Sequence, residues 1–96
     1  MRKTSESVKE KVGPIPILKI YPNPAKDFVT IEYAGFENDD IVQILDIYGR
    51  IINTKKTTTE ETKVEINTSM LSSGLYIVRV IGNNSMKDKG RFNIMK

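Results

Sequence analysis

Apolar and polar residues alternate in short runs along most of this chain, and Gly, Pro and Asn separate the runs. Residues 15–20 form a first run, which stops at Tyr21-Pro22-Asn23-Pro24, where two prolines fix φ and withhold two ladder N–H groups. Residues 27–34 place Val29, Ile31 and Tyr33 on one face and Thr30 and Glu32 on the other, a period of two that predicts a half-buried strand. Residues 41–47 are nearly continuously apolar, as in a strand partly covered on both faces. Tyr48-Gly49 turns the chain, and residues 50–57 run back to complete a hairpin. After a polar loop, residues 63–67 alternate again with Val64 and Ile66 inward. Residues 68–74 connect to the most apolar run, 75–81, with Leu71 as a plug under the connection. Gly82-Asn83-Asn84-Ser85 is a turn, and residues 87–95 close the pattern with Phe92 and Ile94 inward, although Gly90 and Asn93 interrupt its β character. Seven strands at turn spacings of about ten residues, with no helix longer than one turn, predict an all-β fold: a seven-stranded antiparallel immunoglobulin-like β-sandwich.

Residues 1–16 break this rhythm. They mix Lys, Arg, Glu and Ser, and Gly13, Pro14 and Pro16 exclude a continuing helix, so they read as a flexible linker or arm. The sandwich is expected over residues 17–96. The stretch before it has basic residues but no apolar segment, so it does not read as a signal peptide. A role outside the cytoplasm would then require the chain to be a fragment, or an upstream passenger to carry the export signal.

Composition narrows the chemistry. The 96 residues include no Cys, His or Trp. Disulfides, thiol catalysis, Cys/His zinc sites and Ser–His triads are therefore excluded. The net charge is +3, and all of it falls in the last ten residues, where Lys87, Lys89, Arg91 and Lys96 face Asp88 alone. Such an end suits either an acidic partner or a solvated edge strand. The acidic run Glu37, Asn38, Asp39, Asp40 lacks the spacing of a calcium loop and reads as a solvated turn. Lys55-Lys56 and the C-terminal lysines are too thin a footprint for nucleic acid. Asn67-Thr68-Ser69 and Asn83-Asn84-Ser85 match the glycan-acceptor pattern, which is short enough to arise by chance. No metal, cofactor or catalytic residue is expected.

Three turns carry the remaining information: Tyr21-Pro22-Asn23-Pro24-Ala25, Asp46-Ile47-Tyr48-Gly49-Arg50 and Leu71-Ser72-Ser73-Gly74-Leu75-Tyr76, followed by a basic last strand ending in Lys96. Each is explicable as folding alone, with Gly49 supplying an inexpensive positive φ. Together, in this order and spacing, they resemble the C-terminal sorting domain of proteins exported by the type IX (Por) secretion system, over roughly residues 17–96.

That resemblance implies a non-catalytic secretion signal at the end of a larger cargo protein. The cargo would cross to the periplasm, be read by the outer-membrane translocon, and reach the cell surface. A sortase-like cysteine protease would remove the domain by cutting within residues 1–16. Carried over by position, the sorting signal falls on Pro22, Asn23, Pro24, Gly49, Arg50, Gly74, Tyr76, Lys89, Arg91 and Lys96. The last strand is expected at a sheet edge, exposed for a partner to extend, and such an edge also permits an edge-strand dimer. The competing reading is a carbohydrate-binding or adhesive accessory module. It would need exposed aromatics, with Tyr33, Phe36 and Tyr48 as candidates and Tyr33 expected to be buried.

Overall fold

The computed structural model describes residues 17–96, so the expected linker lies outside the described residues. Seven strands follow in order: β1 (Lys19–Tyr21), β2 (Phe28–Glu32), β3 (Ile41–Leu45), β4 (Ile51–Lys56), β5 (Lys63–Asn67), β6 (Gly74–Gly82) and β7 (Ser85–Ile94). They form a three-stranded sheet, β1-β2-β5, and a four-stranded sheet, β4-β3-β6-β7, in which all neighbours are antiparallel. This is the expected immunoglobulin-like sandwich. The first strand is shorter than its apolar run, because only Lys19, Ile20 and Tyr21 find partners on β2.

The inner faces carry the predicted residues. Val29, Ile31, Val64 and Ile66 of one sheet meet Val42, Ile44, Val78, Val80, Phe92 and Ile94 of the other, all at most 3% exposed. Burying each such side chain contributes roughly 1.5–3 kcal/mol. Tyr33 and Phe36 pack edge-to-face at 5.3 Å, and Tyr76 stacks on Phe92 at 5.9 Å. Leu71 lies partly buried against the core, as a plug should.

The acidic run after β2 is an exposed turn over Glu37, Asn38 and Asp39, as its composition suggests, but its last residue is buried. Asp40 is 2% exposed, and its Oδ2 accepts the Glu37 N–H and the Lys87 ammonium, each at 2.8 Å. Lys87 also donates to the Gly35 carbonyl and to Glu37. Burial pulls the Lys87 pKa down, but hydrogen bonds to Asp40 and Glu37 outweigh it and hold the ammonium above its usual value. Gly82 belongs to the same knot, since a Cβ there would collide with Asp40 Oδ1. The next two residues, Asn83 (φ 52°) and Asn84 (φ 63°), both adopt left-handed backbone, the pattern of a tight β-hairpin turn, and so join β6 to β7. Gly90 is not a weak point of β7 either: a Cβ would sit 2.8 Å from Ile20 Cδ1 of the opposite sheet, so glycine permits the close approach of β1.

Candidate functional site

The three turns converge on one end of the sandwich. The first, residues 22–25, crosses from β1 to β7. Ala25 is fully buried and forms a parallel bridge with Ile94, donating to the Asn93 carbonyl at 2.8 Å and accepting from the Met95 N–H at 2.9 Å. Asn23 Oδ1 accepts the Asn93 N–H at 3.0 Å. Thr68, also fully buried, ties the neighbouring loop to the same corner by donating its hydroxyl to the Lys26 carbonyl at 2.9 Å and its N–H to the Asp27 carbonyl at 2.8 Å. Lys96 closes this end: its ammonium donates to the Thr68 and Ser69 carbonyls at 3.1 and 2.7 Å, and its N–H to Ser73 Oγ at 3.0 Å. Pro22, Pro24, Phe28, Met95 and Lys96 border an open hollow of about 520 Å³.

The second turn is organised by Asp46. Its carboxylate accepts the Tyr48 and Arg50 N–H groups at 2.9 and 3.0 Å and the Arg50 guanidinium at 2.7 Å. Desolvation raises the Asp46 pKa, but the Arg50 N–H, the Arg50 guanidinium and the Tyr48 N–H outweigh it and hold the group below its usual value. Gly49 has φ 85°, the left-handed backbone the turn requires. The Arg50 guanidinium lies 5.6 Å from the centroid of the Tyr48 ring, within cation–π range. Tyr48 is 78% exposed.

The third turn runs from Leu71 into β6. Tyr76 is 7% exposed, and its hydroxyl donates back to the Ser72 carbonyl at 2.8 Å. A tyrosine near the start of this strand, bonded to backbone a few residues upstream, is the tyrosine corner of immunoglobulin-like sandwiches. Gly74 has φ 155°, a backbone angle that side-chain-bearing residues rarely adopt. The second and third turns share a hollow of about 420 Å³, bordered by Tyr48, Arg50, Met70 and Leu75. Met70 is 92% exposed there.

Eight of the ten residues predicted to carry the signal therefore meet at one end: Pro22, Asn23, Pro24, Gly49, Arg50, Gly74, Tyr76 and Lys96. Lys89 and Arg91 do not join them. They lie farther along β7, opposite Arg79 and Ile77 of β6. Ala25 and Asp46 stood in the turns named from the sequence but not among those ten residues, and the structural parts played by Thr68 and Asn93 were missed. Only Asp46 had a usable signal, since an Asp two residues before a Gly turn commonly caps that turn. Of the three aromatics a sugar-binding face would use, Tyr33 and Phe36 are buried at 5% and 4% exposure.

The last strand does lie at the end of its sheet, but its edge is half closed. In an antiparallel ladder, alternate residues turn their backbone groups towards each neighbour. Asn93 and Met95 bond to the Ala25 corner, so Arg91 and Lys89 also face away from β6. Asp88 Oδ1 caps the Lys89 N–H at 2.8 Å. The Ala25 corner thus covers the C-terminal end of the β7 edge, at Asn93 and Met95. Among the described residues, no group of three His, Cys, Asp or Glu side chains is placed to hold a metal ion.

The family model for the secretion system C-terminal sorting domain matches residues 19–94, nearly all of the described chain. The chain belongs to that family. A solved structure similar to this sorting domain is that of PorZ, described as an essential bacterial surface component of the type-IX secretion system of Porphyromonas gingivalis. It is 30% identical with a TM-score of 0.67, over 82% of this chain and 11% of the PorZ chain. The sorting domain thus spans about a tenth of the length of that protein. No curated protein sequence matches it. The domain is a C-terminal sorting signal for type IX secretion, and it marks the protein that carries it for secretion towards the cell surface.

Proposed function

We propose that the sorting domain acts as a folded, non-catalytic recognition module. The outer-membrane translocon of type IX secretion reads its three-turn end, after an upstream cargo domain has reached the periplasm. A sortase-like cysteine protease then releases the cargo by cutting a bond within residues 1–16. The carrying observation is the convergence of Pro22–Pro24, Gly49–Arg50, Gly74–Tyr76 and Lys96 on one end, tied by the Asn23–Asn93 and Lys96–Thr68 hydrogen bonds. These residues are far apart in the chain and adjacent only once it has folded, so a partner that reads them together reads a surface and not a linear peptide.

The test joins the 96-residue chain to a reporter enzyme bearing a periplasmic export signal, in a bacterium with an active type IX system. The wild-type fusion should reach the medium or cell surface, and the reporter alone should stay in the periplasm. Replacing Arg50 and Tyr48 by Ala changes the exposed three-turn end without touching the core, and should leave the fusion folded but periplasmic. Equal export of the reporter with and without the domain would refute the sorting role. Normal export of the Arg50/Tyr48 variant would refute the choice of this end.

A further inference from the structure

The two outer faces of the sandwich differ in charge. Residues 17–96 carry eleven Lys/Arg and ten Asp/Glu, close to neutrality. On the outer face of the three-stranded sheet the signs are mixed, with Lys19, Glu32 and Lys63 in one cross-strand row. On the outer face of the four-stranded sheet the register places Lys56, Arg79 with Lys89, and Arg91 in three successive cross-strand rows, and no carboxylate of these strands shares that face among the described residues.

Two observations separate this from an ordinary solvated surface. Arg79 and Lys89 are direct cross-strand partners. Like charges directly opposite each other destabilise a ladder, so folding alone gives no reason for the pair. Arg79 is also held in place: its Nε and Nη2 donate to Gln43 Oε1 at 3.2 and 2.8 Å, which fixes the guanidinium plane on the face. Between the cations stand Ile41, Ile77 and Ile81, each only partly buried. Ile77, Lys89 and Arg91 border a shallow hollow of about 350 Å³.

We infer that this face is a second docking surface, and that its occupant is a protein surface bearing clustered Asp and Glu around an apolar centre. The inference rests on the sorting role proposed above and adds a second contact to it. Charge complementarity selects an acidic occupant. The isoleucines select a protein over a bare polyanion, which would leave them in water with nothing to cover them. The face spans four strands, roughly 15–20 Å at strand spacing, which is small for a stable interface and suits a transient, salt-sensitive one.

The experiment uses the reporter fusion with Lys89→Glu, and separately with Lys56→Glu plus Arg91→Glu. Lys89→Glu turns a repulsive pair into an attractive one, so the melting temperature should hold or rise, by about 2 °C. Export should nevertheless fall about tenfold in both variants. A photo-crosslinking amino acid at Ile77 supplies the chemical identity of the occupant during export. The expected adduct is protease-sensitive, its crosslinked peptide is net acidic, and Lys89→Glu abolishes it.

Unchanged export of both variants, while the wild-type fusion is exported, overturns this surface and leaves the sorting role standing. A fall in melting temperature with Lys89→Glu overturns the like-charge argument. A protease-resistant, glycolipid-like adduct, or a crosslinked peptide without acidic character, overturns the assigned occupant. Failure of the wild-type fusion to leave the periplasm refutes the sorting role itself.

Discussion

Replacing Lys87 by Met should be among the most damaging single changes available outside the apolar core. The methionine keeps the length of the stem but removes the ammonium that bonds Asp40, Glu37 and the Gly35 carbonyl. The Asp40 side chain is only 4% exposed, so its carboxylate would keep the Glu37 N–H and lose its counter-charge. Removing one partner of a fully buried pair costs roughly 3–5 kcal/mol. Lys87 is 20% exposed at the rim of the knot, and water can reach the position it leaves. The expected loss therefore falls below that range, at about 2–3 kcal/mol. For a domain of this size that corresponds to a fall in melting temperature of about 10–20 °C.

Circular dichroism melts at neutral pH would measure the loss. Adding Asp40→Asn to Lys87→Met removes the orphaned charge and should recover more than half of it. The advantage of the wild type over Lys87→Met has a definite pH window, because the folded Lys87 pKa lies above its usual value. It is fully present below about pH 10, the ordinary lysine range, and fades as the pH rises through the folded value. A loss below about 1 kcal/mol, the value of an exposed ion pair, would show that the knot contributes no more than surface charges do.

Two smaller perturbations test the converging turns. Tyr76→Phe keeps the stack on Phe92 but removes the hydroxyl bonded to the Ser72 carbonyl, and should cost about 1 kcal/mol in chemical denaturation with no change in m-value. Asp46→Asn should lower the melting temperature at neutral pH. Because the folded Asp46 pKa lies below its usual value, the gap to wild type should close as the pH falls below about 4 and Asp46 protonates; a pH-independent gap would contradict the proposed cap.

The fold was legible wherever periodicity was local. Val64 and Ile66 alternate without interruption, and β5 occupies the residues their pattern marks. The apolar runs behind β3 and β6 were equally plain, because the central strands of a sandwich are buried over most of their length. What escaped were long-range meetings. The burial of Asp40 at the end of its exposed acidic turn escaped because Lys87, 47 residues further on, is invisible to any local window. Gly90 looks like a defect in β7 until Ile20 is found pressed against it. The tyrosine corner depends on Tyr76 folding back four residues, and nothing in LSSGLY distinguishes a hydroxyl that bonds backbone from one that points to water. β7 is the edge strand its sequence suggests, but the corner that covers its last residues escaped for the same reason, since Ala25 lies 69 positions before its bridge partner Ile94.

The Ala25 bridge makes the module a test of completeness. Phe92 and Ile94 supply core that no earlier strand can replace, and the corner at residues 22–25 has nothing to bond until Asn93 and Met95 arrive. A polypeptide cut short of β7, by stalled translation or a stray protease, is left with a gaping cleft and an unassembled tip. On the reading proposed above, a chain cut short in this way offers the translocon no assembled end to read.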